Sequence, residues 1–161
     1  MKARSGRSIV GGFVALPNAY FRTPEFAALS GRATKLLIAI AMQYNRSNNG
    51  DLVITKSLMA ARGFHSADQL FKARDELIAA GWIMCTRQGG RNIPSLYALT
   101  WEPIDRCDGK LDVQHGPTPP HLWKPENARY REGKTLPRTA EQPVPYGGTA
   151  MVRTAEQGMQ S

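Results

Sequence analysis

The hydrophobic pattern of this chain changes period at Gly81, and that change limits the folds open to it. Before Gly81, apolar residues recur at spacings of three and four. Ala33, Leu36, Leu37, Ile40, Ala41 and Tyr44 form one stripe, and Leu70, Ala73, Leu77 and Ile78 form another. Such spacing belongs to helices that bury one face. After Gly81, Trp82-Ile83-Met84-Cys85-Thr86-Arg87-Gln88 alternates as a strand. Gly89-Gly90 lies in a turn with Arg91 and Asn92, and Ile93 to Trp101 reads as a returning strand rich in Tyr, Trp and aliphatics. Pro94 belongs near the start of that strand, because it cannot donate to a ladder.

Local start and stop signals divide the helical part. Ser30 is placed to cap a helix from Gly31 to about Tyr44. Thr55 caps a second, Lys56 to Arg62, which Gly63 ends. Phe64 and His65 form the next turn, Ser66 caps a helix over Ala67 to Ala80, and Gly81 closes it. Pro24 to Leu29 reads as one or two helical turns, with Pro24 in the first turn. Asn48-Asn49-Gly50-Asp51 predicts a tight turn, since Asn and Gly tolerate positive φ. Leu52-Val53-Ile54 and Phe13 to Leu16 fit short strands.

Composition sets the expected boundaries. The chain has 161 residues and a net charge of +8; 13 of its 21 Lys and Arg, and 7 of its 13 Asp and Glu, lie in residues 1–105. That part is therefore +6 (13 minus 7) and the remainder +2 (8 minus 6). Only 6 of the last 56 residues are Leu, Ile, Val or Phe, and 7 of the 11 prolines are there. That is about a tenth, below the roughly 20% at which a stable core becomes doubtful. The expected organisation is a basic flexible arm over 1–12, a domain over 13–105 and a mostly disordered Pro/Gly-rich tail over 106–161. The tail repeats Arg138-Thr139-Ala140-Glu141-Gln142 as Arg153-Thr154-Ala155-Glu156-Gln157. Two copies are too few for a solenoid. They read as linear motifs for a protein partner, strengthened by their duplication, or as a duplicated spacer; both stay open.

Several classes are excluded as expectations. The longest apolar run, Leu36 to Met42, is far short of a membrane span. Ile9 to Leu16, broken by Gly11-Gly12, does not make a signal peptide. Cys85 and Cys107 are too few for a disulfide framework and read as reduced thiols of a cytoplasmic protein. His65, His115 and His121 are scattered, with no metal-ligand spacing. Neither a phosphate-binding Gly-rich loop nor a nucleophile elbow is present. No enzyme activity, metal or cofactor is expected.

Leu70, Ala73, Glu76-Leu77, Gly81, Ile83, Thr86-Arg87, Gly89-Gly90 and Leu96-Tyr97-Ala98-Leu99 resemble the recognition helix and wing of winged helix-turn-helix DNA-binding proteins. Leu29-Ser30 through Asn48-Asn49-Gly50 is similar to helix-turn-helix proteins of bacterial plasmids, phages and integrative elements, some replication initiators included. The resemblance spans about residues 13–105. It implies a mainly α fold with a small β-hairpin: a three-helix core plus wing. It further implies binding of double-stranded DNA, as a transcriptional regulator or as an initiator-like origin binder. A winged helix that mediates protein contacts through its tail is the alternative from another class. Whether the chain forms a homodimer stays open.

Projected at 100° per residue, Ala67 to Ala80 sets Leu70, Ala73, Leu77 and Ile78 on one side, with Phe71 at its edge. Asp68, Gln69, Lys72, Asp75, Glu76 and Ala79 lie opposite. The N-terminal part of a recognition helix meets base edges, which selects His65, Ser66, Gln69 and Lys72. Gln69 suits adenine; Lys72 suits a guanine edge or a phosphate. Thr55, Lys56 and Arg62 are placed for phosphates at the helix ends. In the wing, Arg87, Gln88, Arg91 and Asn92 are the candidates for phosphate or minor groove; an ordinary hairpin with solvated arginines is the bland reading. Asp68 reads as a first-turn dipole residue, with acceptance from a cytosine or orientation of Lys72 as the other readings. Glu76 reads as paired within its own helix, and Arg74 as a stem lying over apolar surface with its head in water, or else as a direct phosphate contact.

Overall fold

Ser30, Thr55 and Ser66 begin helices as their positions predict. In a computed structural model that describes residues 11–131, the Oγ of Ser30 accepts from the Ala33 N–H at 3.1 Å. Thr55 Oγ1 accepts from Leu58 at 3.3 Å and Ser66 Oγ from Gln69 at 3.4 Å. The elements run α1 (Asn18–Phe21), α2 (Pro24–Ala27), α3 (Gly31–Ala41), β1 (Leu52–Val53), α4 (Lys56–Ala60), α5 (Ala67–Ala79), β2 (Ile83–Arg87) and β3 (Leu96–Leu99). Two short 3₁₀ turns follow, Cys107–Gly109 and Pro125–Tyr130. Phe13 to Leu16 forms no strand; Val14 and Leu16 instead pack against the core from an irregular segment. Among the described residues no helix is long and apolar enough to cross a membrane.

Gly81 closes α5 for two physical reasons. Its φ of 81° is left-handed, and the reversal satisfies orphan carbonyls: Trp82 N–H donates to Leu77 O and Gly81 N–H to Ile78 O, both at 3.0 Å. A Cβ here would also stand 2.2 Å from the Leu122 carbonyl oxygen. Gly81→Ala is therefore expected to lose about 1–2 kcal/mol from the left-handed backbone alone, and more from displacing Leu122. The midpoint of urea unfolding reads this loss.

The three strands form an antiparallel sheet in the order β1-β3-β2, with Leu52 opposite Tyr97 and Ile83 opposite Leu99. Its two faces bury different side chains. Ile83, Cys85, Tyr97 and Leu99 join Leu36, Leu37, Ile40, Met59, Leu70 and Leu77 of the helices. Met84, Leu96 and Ala98 pack instead with Ile104, Leu111, Val113 and Leu122.

The second cluster corrects the expected boundary at Asp105. Residues 106–131 are not a loose tail: Leu111, Val113, Leu122 and Trp123 are all buried. Trp123 stacks on Trp82 with ring centroids 5.0 Å apart and an angle of 7° between the planes. Asp112 N–H donates to Thr86 O at 2.8 Å, and His121 N–H to Thr100 O at 2.6 Å. Arg131 ties the segment together by donating to the Leu122 and Trp123 carbonyls. Averaging over 56 residues conceals this, because the apolar residues are few but the buried ones all precede Lys124, with Tyr130 packed against them. The basic residues of 1–10, and the duplicated motif at 138–142 and 153–157, lie outside the described residues.

His121 makes this docking sensitive to pH. Its ring sits edge-on to Tyr20 and Trp123, and its Nδ1 is buried with no hydrogen-bond partner among the described residues. Burial, with Lys124 adding to it, holds its pKa below the ordinary 6.5. The unfolded chain therefore binds this proton more readily than the folded one. The contribution is complete above the ordinary value and is lost as pH falls through the lowered one. Denaturant unfolding should show stability declining as pH falls below the ordinary 6.5, with a shallower decline in His121→Gln.

Candidate nucleic-acid interface

Met59, Leu70, Ala73 and Leu77 turn the inner faces of α4 and α5 against α3. That orientation leaves Lys56, Arg62, His65, Asp68, Gln69, Lys72, Asp75 and Ala79 exposed. Thr55 and Ser66, expected as DNA contacts, have their hydroxyl oxygens engaged as caps. Each accepts there, which leaves the Ser66 hydroxyl hydrogen available as a donor. Thr55 Oγ1 also lies 3.4 Å from Ser57 Oγ, and the two hydroxyls share one hydrogen bond.

The acidic residues of α5 each have a partner within the protein. Asp68 pairs with Lys72 at 2.9 Å, one turn apart, with side chains 71% and 77% exposed. Such a pair contributes only about 0.3–0.5 kcal/mol, so it orients Lys72 more than it stabilises the helix. Asp75 accepts from Arg74 Nε at 2.8 Å and Nη2 at 2.7 Å. Glu76 does not pair within α5. Its carboxylate accepts from both the N–H and the Oγ of Ser30, each at 2.7 Å. It thus completes the cap of α3 from 46 positions away, where a local capping box would use a residue three positions on.

Arg74 lies over apolar surface as expected, but its head is not in water. Its guanidinium covers the Phe71 ring at 4.9 Å and its side chain is 27% exposed. It borders a cavity of about 300 Å³ between α5 and the β2–β3 hairpin, lined also by Ile78, Cys85, Gln88 and Tyr97.

On the opposite flank of α5, Gln69 and Lys72 face Arg32 and Lys35 of α3 across an open cleft of about 600 Å³. Sequence reasoning passed over Arg32 and Lys35. The signal was present: both lie on the polar side of the α3 stripe, three residues apart. The Lys35 ammonium sits 5.5 Å from the centre of the Phe64 ring, against the turn that carries Arg62 and His65. The two helices and the turn thus form one basic surface.

The hairpin divides its four candidates. It reverses at Arg91-Asn92, with Asn92 at φ 61°, and is closed by mutual hydrogen bonds between Gly90 and Ile93. Arg91 and Asn92 are exposed at the tip. Arg87 is not presented outward. It is half-buried, it donates to the Pro94 carbonyl at 3.2 Å, and its Nε is enclosed. Gln88 is exposed, and its N–H reaches Asp112 Oδ2 at 3.4 Å. An acidic group therefore stands beside a hairpin whose own sequence has none from Thr86 to Thr100.

The thiols offer little chemistry. Cys85 is buried in the sheet. Burial and the carboxylates of Asp51 and Asp105 push Cys107 up to about 11, which keeps it protonated and weakly nucleophilic.

No protein-family model, curated protein or solved structure matches this chain.

Proposed function

We propose that the chain is a winged helix-turn-helix protein that binds double-stranded DNA, with α4 and α5 as the helix-turn-helix and the β2–β3 hairpin as the wing. It acts by binding rather than catalysis, as a transcriptional regulator of a bacterial mobile element. One observation carries this reading. The acids of α5 are engaged by Lys72, Arg74 and Ser30. Arg32, Lys35, Lys56, Arg62 and Arg91 have no ion-pair partner among the described residues. These five lie on α3, on α4 and the turn after it, and at the hairpin tip, where a duplex would touch such a fold. Arg22, Arg46, Arg106, Lys124 and Arg129, also without an ion-pair partner among the described residues, lie elsewhere in the chain. Gln69 and Lys72 then address base edges, and Arg32, Lys35, Lys56, Arg62 and Arg91 address phosphates.

Retention of the full chain on random duplex DNA at increasing salt tests this. With five or six phosphates neutralised, log K should fall with log salt at a slope of about −4.5 to −5.5. Arg32→Ala or Lys35→Ala should make the slope shallower by about 1, whereas Arg87→Ala, already held by Pro94, should leave it unchanged. Gln69→Ala should relax base preference with the slope intact. Retention that ignores salt overturns the proposal. Selection of bound sequences from a random pool then gives the site, and a location at promoters or at a replication origin separates regulator from initiator.

A further inference from the structure

Ile93 is 55% exposed at the tip of the β2–β3 hairpin, yet its backbone is fixed from several directions. Its N–H donates to Gly90 O at 3.2 Å and its carbonyl accepts from Gly90 N–H at 3.0 Å. The next residue, Pro94, has its carbonyl held by Arg87 at 3.2 Å. Behind it the loop is closed tightly, for a Cβ at Gly89 would stand 2.4 Å from Ile93 O. Ile is also stiff at χ1. The hairpin thus holds one branched apolar side chain rigidly in water, and nothing in the core benefits from it.

A single exposed apolar residue is ordinary; its neighbours are what distinguish this one. Arg91 and Asn92 precede it, both exposed and both donors, and Pro94 extends the apolar tip. Proteins that work in the minor groove combine these two elements: an apolar wedge between base steps, and Arg or Asn along the groove. A protein partner would not need the donors, and a phosphate contact would not need the isoleucine.

We infer that Ile93 is a wedge that enters the minor groove beside the site of α5 and partly unstacks one base step, with Arg91 and Asn92 lying along the same groove. The wedge rests on the DNA contact proposed above. Pyrimidine–purine steps unstack most easily, so Ile93 would confer preference for TA or CA/TG at a position whose base edges the protein does not read.

The test uses the full chain and end-labelled duplexes of about 25 base pairs, drawn from the selected pool, with a fluorescent adenine analogue at a central TA step. Wild type should bring the labelled ends closer and brighten the analogue. Ile93→Ala and Ile93→Ser should lose both signals, keep the salt slope, and prefer TA over GG steps about tenfold less than wild type. Salt-dependent binding with a dark analogue, or bending that persists in Ile93→Ser, overturns the wedge and leaves the DNA contact standing. Absence of salt-dependent binding by wild type overturns both.

Discussion

A chain ended at Asp105 is expected to lose its cooperative fold, although composition alone marks that point as the domain boundary. The cut removes Leu111, Val113, Leu122 and Trp123, all buried. Each is worth roughly 1.5–3 kcal/mol on full burial, so together they contribute about 6–12 kcal/mol. Whole domains have net stabilities of only about 5–15 kcal/mol. The cut also uncovers Met84, Leu96 and Ala98 on the outer face of the sheet and one face of Trp82. The shortened chain should bind a hydrophobic dye, lose its near-ultraviolet circular dichroism and associate. A milder form of the same test is Trp123→Ala in the full chain, expected to cost about 3–5 kcal/mol. A chain of residues 1–105 that melts cooperatively at the temperature of the full chain would show that this layer is dispensable.

Asn49→Ala is expected to be the most damaging single polar substitution. Asn49 is fully buried. Its Oδ1 accepts from Leu99 N–H at 2.8 Å, and the two N–H groups of its Nδ2 serve the carbonyls of Leu99, Glu102 and Pro103 at 2.9, 3.1 and 2.9 Å, one of them shared between two carbonyls. One amide thus pairs four backbone groups where β3 ends and the chain turns away. Its own N–H donates to Asp105 at 2.7 Å, which adds a fifth tie. Each buried group left unpaired costs about 1–3 kcal/mol. With partial rearrangement the total should be about 3–5 kcal/mol, seen as a fall in Tm of roughly 10–15 °C. Asn49→Asp should be damaging as well. A carboxylate can still accept from Leu99 N–H, but it faces the three carbonyls with no donor. A near-wild-type melt for either variant would show that water or backbone movement replaces the amide.

Asn49 marks the limit of what the sequence reveals. As part of Asn48-Asn49-Gly50-Asp51 it signals a turn, and a turn is present. Nothing in the four residues indicates that the Asn49 side chain points inward to groups 50 positions away. Glu76 is a second case. Its helix and its exposed side follow from periodicity, but its partner is the cap of another helix. Arg87 is a third: a basic residue in a Gly-rich hairpin reads as a free cation, and only the closed hairpin turns it onto Pro94. Arg32 and Lys35 were within reach of the same projection used for α5, and their neighbourhood with Gln69 and Lys72 required knowing how α3 and α5 pack.

The sequence by itself determined the features that depend on a few adjacent residues. Ser30, Thr55 and Ser66 begin helices because their side chains satisfy N–H groups three positions on. Gly81 ends α5 because a left-handed residue costs least as glycine. The change of period there makes α5 before it and the β2–β3 hairpin after it. Tertiary structure alone decided that the sheet is covered on both faces, and which charges stay unpaired. Both depend on groups distant in sequence meeting in space. Burying Leu111, Leu122 and Trp123 stabilises by area removed from water. That area exists only once the sheet has formed to receive them.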